Sequence, residues 1–319
     1  MNVVISLDHN FVMPCGVMLQ SLCSNNKDVA VHCFALTDDS FTLNDKKVLE
    51  DILTAENTEN SLSVIFVSDE QTKAVQSIDS WRYPKQVCYR LFMSSLLPVD
   101  VDKVIYLDGD LIVRKSLKDL WNTDMENYSV GVVPDSLSGT LSYYNRLHYP
   151  ITLGYFNSGM MLINLSYWRK HQLEDKFVKF IKESKSRIYL PDQDVLNYVT
   201  RESKKHVAIK YNVQTQFLYK MEFQCFSVYQ YQEEFEEARR DPVIIHFSGC
   251  RPWEKGCNHP FKEEFFKYRS HTIWNDMPLK KVHKGLKFHT KEFIRWALTP
   301  FGITHYVSDY FDRSLKLVP

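Results

Sequence analysis

The sequence predicts an α/β protein built on a mostly parallel, doubly wound sheet. The first half of the chain alternates short, apolar, β-branched segments with segments of helical length. The strand-like segments are continuously apolar, as expected for strands that are covered on both faces of a parallel sheet. Hydrophobic residues make up 44% and charged residues 24% of the 319 residues, which excludes a disordered or fibrous chain.

The elements follow one another in a regular order. Residues 3–7 form the first apolar strand, and residues 11–24 carry apolar side chains at helical spacing. Further strands are predicted over residues 29–36, 62–67, 103–107, 159–165 and 243–247. Further helices are predicted over residues 41–53, 173–182 and 193–200.

Polar clusters stand at the ends of three predicted strands. They are Asp8-His9-Asn10, Asp108-Gly109-Asp110 and His246. Ligands of open α/β sheets bind outside the carboxyl ends of the strands. We therefore expect the three clusters to meet in one crevice.

Asp108 and Asp110 are candidate metal ligands. In an extended chain, residues two positions apart point to the same side. Two carboxylates held that close repel each other unless one is protonated or a cation joins them. Mg²⁺ and Mn²⁺ prefer such oxygen ligands. The pattern alone is weak, because most copies of it are turns or solvated acids.

His246 is ambiguous by itself, because a single histidine in an apolar strand is usually a core residue. Together with Cys250, Cys257 and His259 it offers four zinc-ligand types, but their spacing matches no common zinc motif. The seven cysteines include no CxxC pair, which predicts free thiols in a reducing compartment. The N-terminal residues do not resemble a secretory leader, so the expected location is the cytoplasm.

Six stretches in a fixed order resemble the family 8 glycosyltransferases, which are retaining enzymes that use nucleotide sugars. The family includes bacterial lipopolysaccharide galactosyl- and glucosyltransferases and glycogenin. The stretches are residues 5–11 (ISLDHNF), 89–91 (YRL), 104–113 (VIYLDGDLIV), 156–165 (FNSGMMLINL), 191–197 (PDQDVLN) and 246–249 (HFSG).

This resemblance implies a GT-A fold and a role for each matching residue. Asp8, Asn10 and Phe11 would hold the uridine, although Asp8 could equally cap a helix. Arg90, Asp108, Asn157 and Gly249 would bind the UDP-hexose donor, although Arg90 could instead form an ion pair. The residues expected to bind Mn²⁺ or Mg²⁺ are Asp108, Asp110 and His246. The residues expected at the reacting sugar are Asp192 and Gln193.

The implied reaction is transfer of galactose or glucose from UDP, with retention, to a lipopolysaccharide core or a related surface glycan. Front-face substitution assisted by the Gln193 amide oxygen is the preferred mechanism, and Asp192 or Asp194 as a covalent nucleophile is the alternative. A protein or polysaccharide acceptor, or a non-enzymatic nucleotide-sugar or glycan-binding protein, are the competing functions. A nicotinamide dehydrogenase is disfavoured because no GxGxxG follows the first strand.

One position departs from the family pattern. The family usually has Lys-Pro-Trp six residues after the metal histidine, whereas here Arg251-Pro252-Trp253 begins five residues after His246. Arginine still offers a cation to a phosphate, with forked geometry. Arg251 is therefore predicted to contact the donor.

The C-terminal segment differs in charge from the rest of the chain. Residues 277–319 hold eight basic and three acidic residues, whereas residues 1–276 hold 31 and 36. We therefore predict a catalytic domain over 1–276 and a basic appendage over 277–319. Lys280, Lys284, Lys287, Lys291 and Arg295 form one helical stripe, so residues 280–297 could contact a membrane peripherally or pack on the catalytic domain. The balanced total of 39 basic and 39 acidic residues disfavours a nucleic-acid partner.

Overall fold

The computed structural model describes residues 1–75, 78, 83–136, 138–218 and 232–281. Ten strands lie within these residues. In chain order they are β1 (Asn2–Ser6), β2 (His32–Thr37), β3 (Ser61–Phe66), β4 (Lys103–Leu107), β5 (Leu111–Val113), β6 (Val130–Pro134), β7 (Phe156–Asn164), β8 (Lys204–His206), β9 (Val213–Gln214) and β10 (Ile244–His246).

The larger sheet has the strand order β3-β2-β1-β4-β7-β6-β8 in this part of the chain. All of its described strands run parallel except β7, which is antiparallel to β4 and to β6. The carboxyl ends of β1, β4 and β6 and the start of β7 therefore lie along one edge. The predicted mostly parallel α/β fold is confirmed.

Helices cover both faces of this sheet. They are α1 (Val12–Ser24), α2 (Leu43–Glu56), α3 (Met93–Leu96), α4 (Lys118–Trp121), α5 (Leu141–Leu147), α6 (Leu165–Lys170), α7 (Leu173–Ser184), α8 (Gln193–Thr200), α9 (Gln232–Arg240) and α10 (Lys262–Arg269). The start of α2 is fixed by a capping box, in which Thr42 and Asp45 satisfy each other's backbone N–H groups.

Alternation along the strands divides the core into two apolar clusters. Ile5 and Leu162 pack in the cluster that contains α1, whereas their neighbours Val4 and Met161 pack in the cluster that contains α7 and α8. Because successive side chains of a strand point to opposite faces, continuously apolar strands fill both clusters. This explains why the strand signal in the sequence was strong.

Two strands begin three residues away from their predicted starts, and three others differ from the prediction by one residue at both ends. β2 begins at His32 rather than at residue 29, because the Val29 N–H donates to the Asn26 carbonyl and closes a turn. β7 begins at Phe156, three residues before the predicted start, because Phe156 pairs with Pro134 beyond an irregularity in the ladder.

The smaller sheet joins three short strands in the order β5-β10-β9. β10 is antiparallel to β5 and parallel to β9, and His246 lies opposite Leu111. The strand predicted over residues 243–247 is therefore present, but it lies in this second sheet. The position of His246 follows from cross-strand register and not from the edge of the parallel sheet.

The described chain ends against the α/β body. The Lys280 N–H donates to the Trp253 carbonyl, and the Lys255 N–H donates to the Lys280 carbonyl. Residues 282–319 lie outside the described residues, so the helix predicted over 280–297 and the domain boundary at 276 stay predictions. No helix in the described ranges combines the length and the apolar character needed to cross a bilayer.

Candidate active site

A cleft of about 850 Å³ opens along the carboxyl edge of the larger sheet. It gathers all of the site residues that the sequence predicted. These are Asp8, Asn10, Phe11, Arg90, Asp108, Asp110, Asn157, Asp192, Gln193, His246, Gly249 and Arg251. The expectation that separate strand ends meet in one crevice is thus met.

The Asp108-Gly109-Asp110 turn connects the two sheets, because β4 ends at Leu107 and β5 begins at Leu111. A Cβ atom on Gly109 would lie 2.4 Å from Cys15 Sγ and 2.8 Å from Phe11 Cδ1. Only glycine lets this turn pack so closely on α1 and on Phe11.

Asp108, Asp110 and His246 form a compact cluster. One ligand atom from each residue lies within 4.8 Å of the others, and it is the one such cluster among the described residues. Burial works against the charge on Asp110 and on His246, but their mutual attraction, together with other nearby charges, outweighs it. The pKa of Asp110 is lowered and the pKa of His246 is raised.

The cluster fits a divalent cation. Two carboxylates and one imidazole are a donor set that Mn²⁺ and Mg²⁺ accept. The space in front of the donors is kept open by Gly159, whose Cβ would lie 2.4 Å from His246 Cε1 and 3.0 Å from Asp108 Oδ2. Any side chain at this position would press directly on two of the three donors.

Asn212 fixes the orientation of His246. Its Oδ1 lies 2.9 Å from His246 Nδ1, and its Nδ2 donates to Asn157 Oδ1 at 2.9 Å. Because Asn212 Nδ2 is the donor to Asn157, Asn212 Oδ1 must accept a hydrogen bond from His246. Nδ1 of His246 therefore carries the proton. The other ring nitrogen, Nε2, then faces Asp110 at 3.4 Å.

Arg90 is buried beneath the cleft, with 3% of its surface exposed. Its guanidinium lies 2.6 Å from Asp108 and 3.1 Å from Asp192, and it also donates to the Ser158 carbonyl. The sequence left open whether Arg90 would form an ion pair, and it forms two buried ones. Burial raises the pKa of Asp108, whereas the Arg90 charge acts to lower it.

Gln193 and Asn157 form a polar part of the cleft wall. Gln193 Oε1 accepts from the Ser158 N–H at 3.0 Å and lies 3.3 Å from Asn157 Nδ2. Gln193 Nε2 and Asn157 Nδ2 both donate to Asp135 Oδ2, at 3.2 and 3.1 Å. The amide of Gln193 is therefore held in one orientation at the first turn of α8.

Asp192 and Asp194 have different surroundings. Asp192 lines the cleft and accepts from Ser158 Oγ at 2.8 Å. Asp194 is fully buried and accepts from Arg146, from Tyr155 Oη and from the backbone N–H groups of residues 189 and 190. Its place is in the core and not in the cleft.

Asp8 and Phe11 also line the cleft, shortly after β1. Asp8 Oδ1 accepts from the Phe11 N–H at 3.0 Å and caps a 3-10 helix, His9–Phe11. The Phe11 ring contacts Trp253 edge to face at 5.9 Å. The capping interpretation of Asp8 is confirmed, and the uridine contacts stay predictions.

Arg251 reaches the cleft despite the shortened spacing. It lines the cavity, and its charge contributes to lowering the pKa of Asp110. The zinc alternative finds no support, because His246 belongs to the Asp108 cluster and His259 Nδ1 accepts from the Phe261 N–H.

Asp135 and Asn212, which hold predicted site residues in place, were not predicted. Asp135 follows the apolar run of β6, so the same strand-end rule that selected Asp108 could have found it. Asn212 carries no sequence signal, because it precedes a strand of only two residues.

Comparison with known proteins gives consistent results. The profile of glycosyl transferase family 8 matches residues 2–257. General stress protein A of Bacillus subtilis is 28% identical over 279 residues, which cover 86% of this chain and 95% of that protein. Lipopolysaccharide 1,3-galactosyltransferase of Salmonella typhimurium is 25% identical, over 98% of this chain and 91% of that protein.

A solved structure confirms the fold. The crystal structure of galactosyltransferase LgtC with donor and acceptor sugar analogues superposes with a TM-score of 0.75 at 20% identity. The match covers 91% of this chain and all of that chain. The GT-A fold expected from the sequence is thereby confirmed.

Proposed function

The chain belongs to glycosyl transferase family 8, and from that premise we propose that it is a metal-dependent, retaining hexosyltransferase that uses a UDP-sugar. One observation carries the proposal. The Asp108–Asp110–His246 cluster lines the same cleft as Asp8 and Gln193. A nucleotide, a diphosphate and a sugar need groups of these three kinds within one cleft.

Asp108, Asp110 and His246 would hold Mn²⁺ or Mg²⁺. When bound, the cation supplies Lewis-acid neutralisation of the charge that develops on the departing diphosphate. Arg251 adds a second positive charge on the same side of the cleft. Asp8, Asn10 and Phe11, which line the same cleft, would hold the uridine.

Gln193 is the group proposed to act at the anomeric carbon. As the bond to UDP breaks, positive charge grows on the sugar, and the amide oxygen of Gln193 stabilises it. The acceptor hydroxyl then attacks on the face that UDP leaves, which retains the configuration. The hydrogen bonds from Ser158 and Asn157 keep this oxygen oriented without reorganisation during the reaction.

The two carboxylates considered as covalent nucleophiles, Asp192 and Asp194, differ in their access to the cleft. Asp194 is excluded as a nucleophile by its complete burial and its bonds to Arg146 and Tyr155. Asp192 stays the competing nucleophile because it lines the cleft. Its Oδ2 is occupied by Arg90 and Ser158, which lowers its nucleophilicity.

Substitution of Gln193 separates these mechanisms. Gln193→Ala should lower the single-turnover rate by about 100-fold while the Kd for UDP changes little, because the residue acts only in the transition state. Asp192→Asn, which keeps the shape, is the matched control. A covalent sugar adduct on Asp192 in the Gln193→Ala protein would contradict the front-face mechanism.

The assignment of the activity itself is tested by UDP release. Purified protein is incubated with UDP-galactose, UDP-glucose and other UDP-sugars, with and without Mn²⁺. We expect metal-dependent release from one donor, with water as a poor acceptor. Absence of Mn²⁺-dependent UDP binding by calorimetry would overturn the assignment and favour a binding protein for another ligand.

We further propose a lipopolysaccharide core or related surface glycan as the acceptor, at the inner face of the cytoplasmic membrane. The basic stripe from Lys280 to Arg295 would contact anionic lipid, at about 1 kcal/mol per basic residue. Cosedimentation with vesicles that contain anionic lipid should fall when Lys284, Lys287 and Lys291 are changed to Glu. Unchanged cosedimentation would favour packing of this segment on the catalytic domain.

A further inference from the structure

A pair of cysteines lies beside the cleft and has no part in the proposed transfer reaction. Cys250 Sγ and Cys257 Sγ are 2.8 Å apart, and both side chains are partly exposed. The other cysteines among the described residues are buried in the core. These are Cys15, Cys23, Cys33 and Cys88. Cys250 and Cys257 therefore form the accessible thiol pair of the described chain.

The two thiols are chemically unequal. The hydrogen bond from Cys257, together with the backbone N–H groups of Asn258 and His259, outweighs the effect of burial and lowers the pKa of Cys250 to about 7. The same contact raises the pKa of Cys257. Burial raises the pKa of Cys23 to about 12. Cys250 is thus suited to attack a disulfide first, and Cys257 to react with the mixed disulfide that results.

The pair closes a short loop that carries donor-site residues. We call residues 250–257 the Arg251 loop. Cys250 stands between Gly249 and Arg251, which both line the cleft. Trp253 anchors the loop by its ring contacts with Phe11 and with Phe265, at centroid distances of 5.9 and 5.4 Å.

We propose that Cys250 and Cys257 form a reversible thiol–disulfide site, which takes a small-molecule disulfide as its oxidant and, once oxidised, holds the Arg251 loop at the cleft. The sulfur atoms need to approach by less than about 1 Å to reach bonding distance, so the backbone moves little. Oxidation therefore restricts the loop to the arrangement in which Arg251 lines the cavity. The effect on donor binding rests on the proposed function, whereas formation of the disulfide does not.

The exchange is balanced in atoms and electrons. The Cys250 thiolate attacks one sulfur of the small disulfide, and the first small thiolate leaves and takes up a proton. Cys257 loses its proton and attacks the Cys250 sulfur of the mixed disulfide, which releases the second small thiol. The two protein thiols lose two electrons and the small disulfide gains them.

Trypsin allows a direct test, because it cleaves after Lys255, between the two cysteines. Cys225 lies outside the described residues, so the protein carries Cys225→Ser. Treatment with glutathione disulfide should join the peptides 241–255 and 256–262, and dithiothreitol should separate them. In Cys257→Ser, Cys250 should instead retain glutathione. Unlinked peptides, or a Cys250 that reacts no faster than the buried cysteines, would overturn the proposal.

Two measurements test whether the disulfide restricts the Arg251 loop. In the native protein, oxidation should slow tryptic cleavage at Lys255. This result does not depend on which ligand the cleft binds. With Mn²⁺ present, the Kd for UDP should fall by about threefold on oxidation, because a restricted loop loses less entropy on binding. Neither change should occur in the Cys250→Ser, Cys257→Ser double variant.

The outcomes separate the two proposals. Equal cleavage rates in the oxidised and reduced proteins would contradict the restriction of the loop. An equal Kd for UDP in both forms would contradict its effect on the donor. Failure of UDP to bind either form, with slowed cleavage after oxidation, would overturn the proposed function and leave the thiol–disulfide site in place.

Discussion

The larger and the smaller sheets contribute to the cleft by different means. Strands of the larger sheet that border the cleft, such as β1 and β7, are five and nine residues long, and side chains gather where these strands end or begin. The strands of the smaller sheet have two or three residues and come from distant parts of the sequence. They supply His246, and Asn212 directly precedes one of them. The two sheets meet at Asp108-Gly109-Asp110.

This difference shows how the candidate metal site is assembled. The edge of a parallel sheet brings Asp8, Asp108 and Asp135 together by its general geometry. The imidazole is brought in by one cross-strand register, His246 opposite Leu111. The donor set is complete only where both sheets are intact. Substitutions on either sheet should therefore impair the same property, metal affinity.

The substitution with the largest expected effect lies at the junction of the two sheets. Asp110→Ala removes one donor and leaves His246 without its carboxylate partner. We expect the transfer rate to fall by about 1000-fold, measured as Mn²⁺-dependent UDP release at saturating metal. The circular dichroism spectrum should be unchanged. Full activity in this variant would remove Asp110 from the site.

A smaller effect, on metal affinity, is expected from a substitution in the larger sheet at a residue that offers no ligand atom. Gly159→Ala places a Cβ against His246 and Asp108. Overpacking of this kind costs on the order of 2 kcal/mol, which is about thirtyfold in affinity for Mn²⁺. Electron paramagnetic resonance titration with Mn²⁺ measures it directly.

Gly131→Ala is the matched control for this substitution. Gly131 lies in β6 of the same sheet, and its Cβ would meet Val207, Leu162 and Met125 at 3.1 to 3.3 Å. This variant should lose some stability but keep its affinity for Mn²⁺. Equal loss of metal affinity in both variants would show that general strain of the sheet, and not pressure on the donors, is responsible.

The smallest effect is expected from the smaller sheet, at Asn212. Asn212→Ala removes the acceptor that orients His246, and loss of such a partner costs about tenfold in metal affinity. Asn212→Asp keeps an acceptor for Nδ1 and should restore most of the affinity. The same titration applies, with thermal unfolding as a check on stability. If both variants bind Mn²⁺ like the parent protein, the orienting role of Asn212 is wrong.

Sequence-based prediction was accurate where the local signal was strong, in either sheet. β4 and α8 were predicted at their observed bounds, because a continuous apolar run and a helical period are local signals. β5, β8 and β9 were not predicted, since two or three residues carry no period, and β6 was also missed. Asp135 was missed although it follows a strand, and Asn212 could not have been found.

The sequence by itself determined the α/β fold class, the family and twelve of the residues that line the cleft. These depend on patterns and motifs that lie within about ten consecutive residues each. Only the tertiary structure decided that Arg90 is buried between Asp108 and Asp192, that Asp194 belongs to the core, and that Cys250 faces Cys257. Such contacts depend on cross-strand register, loop paths and burial, which arise only when distant segments pack together.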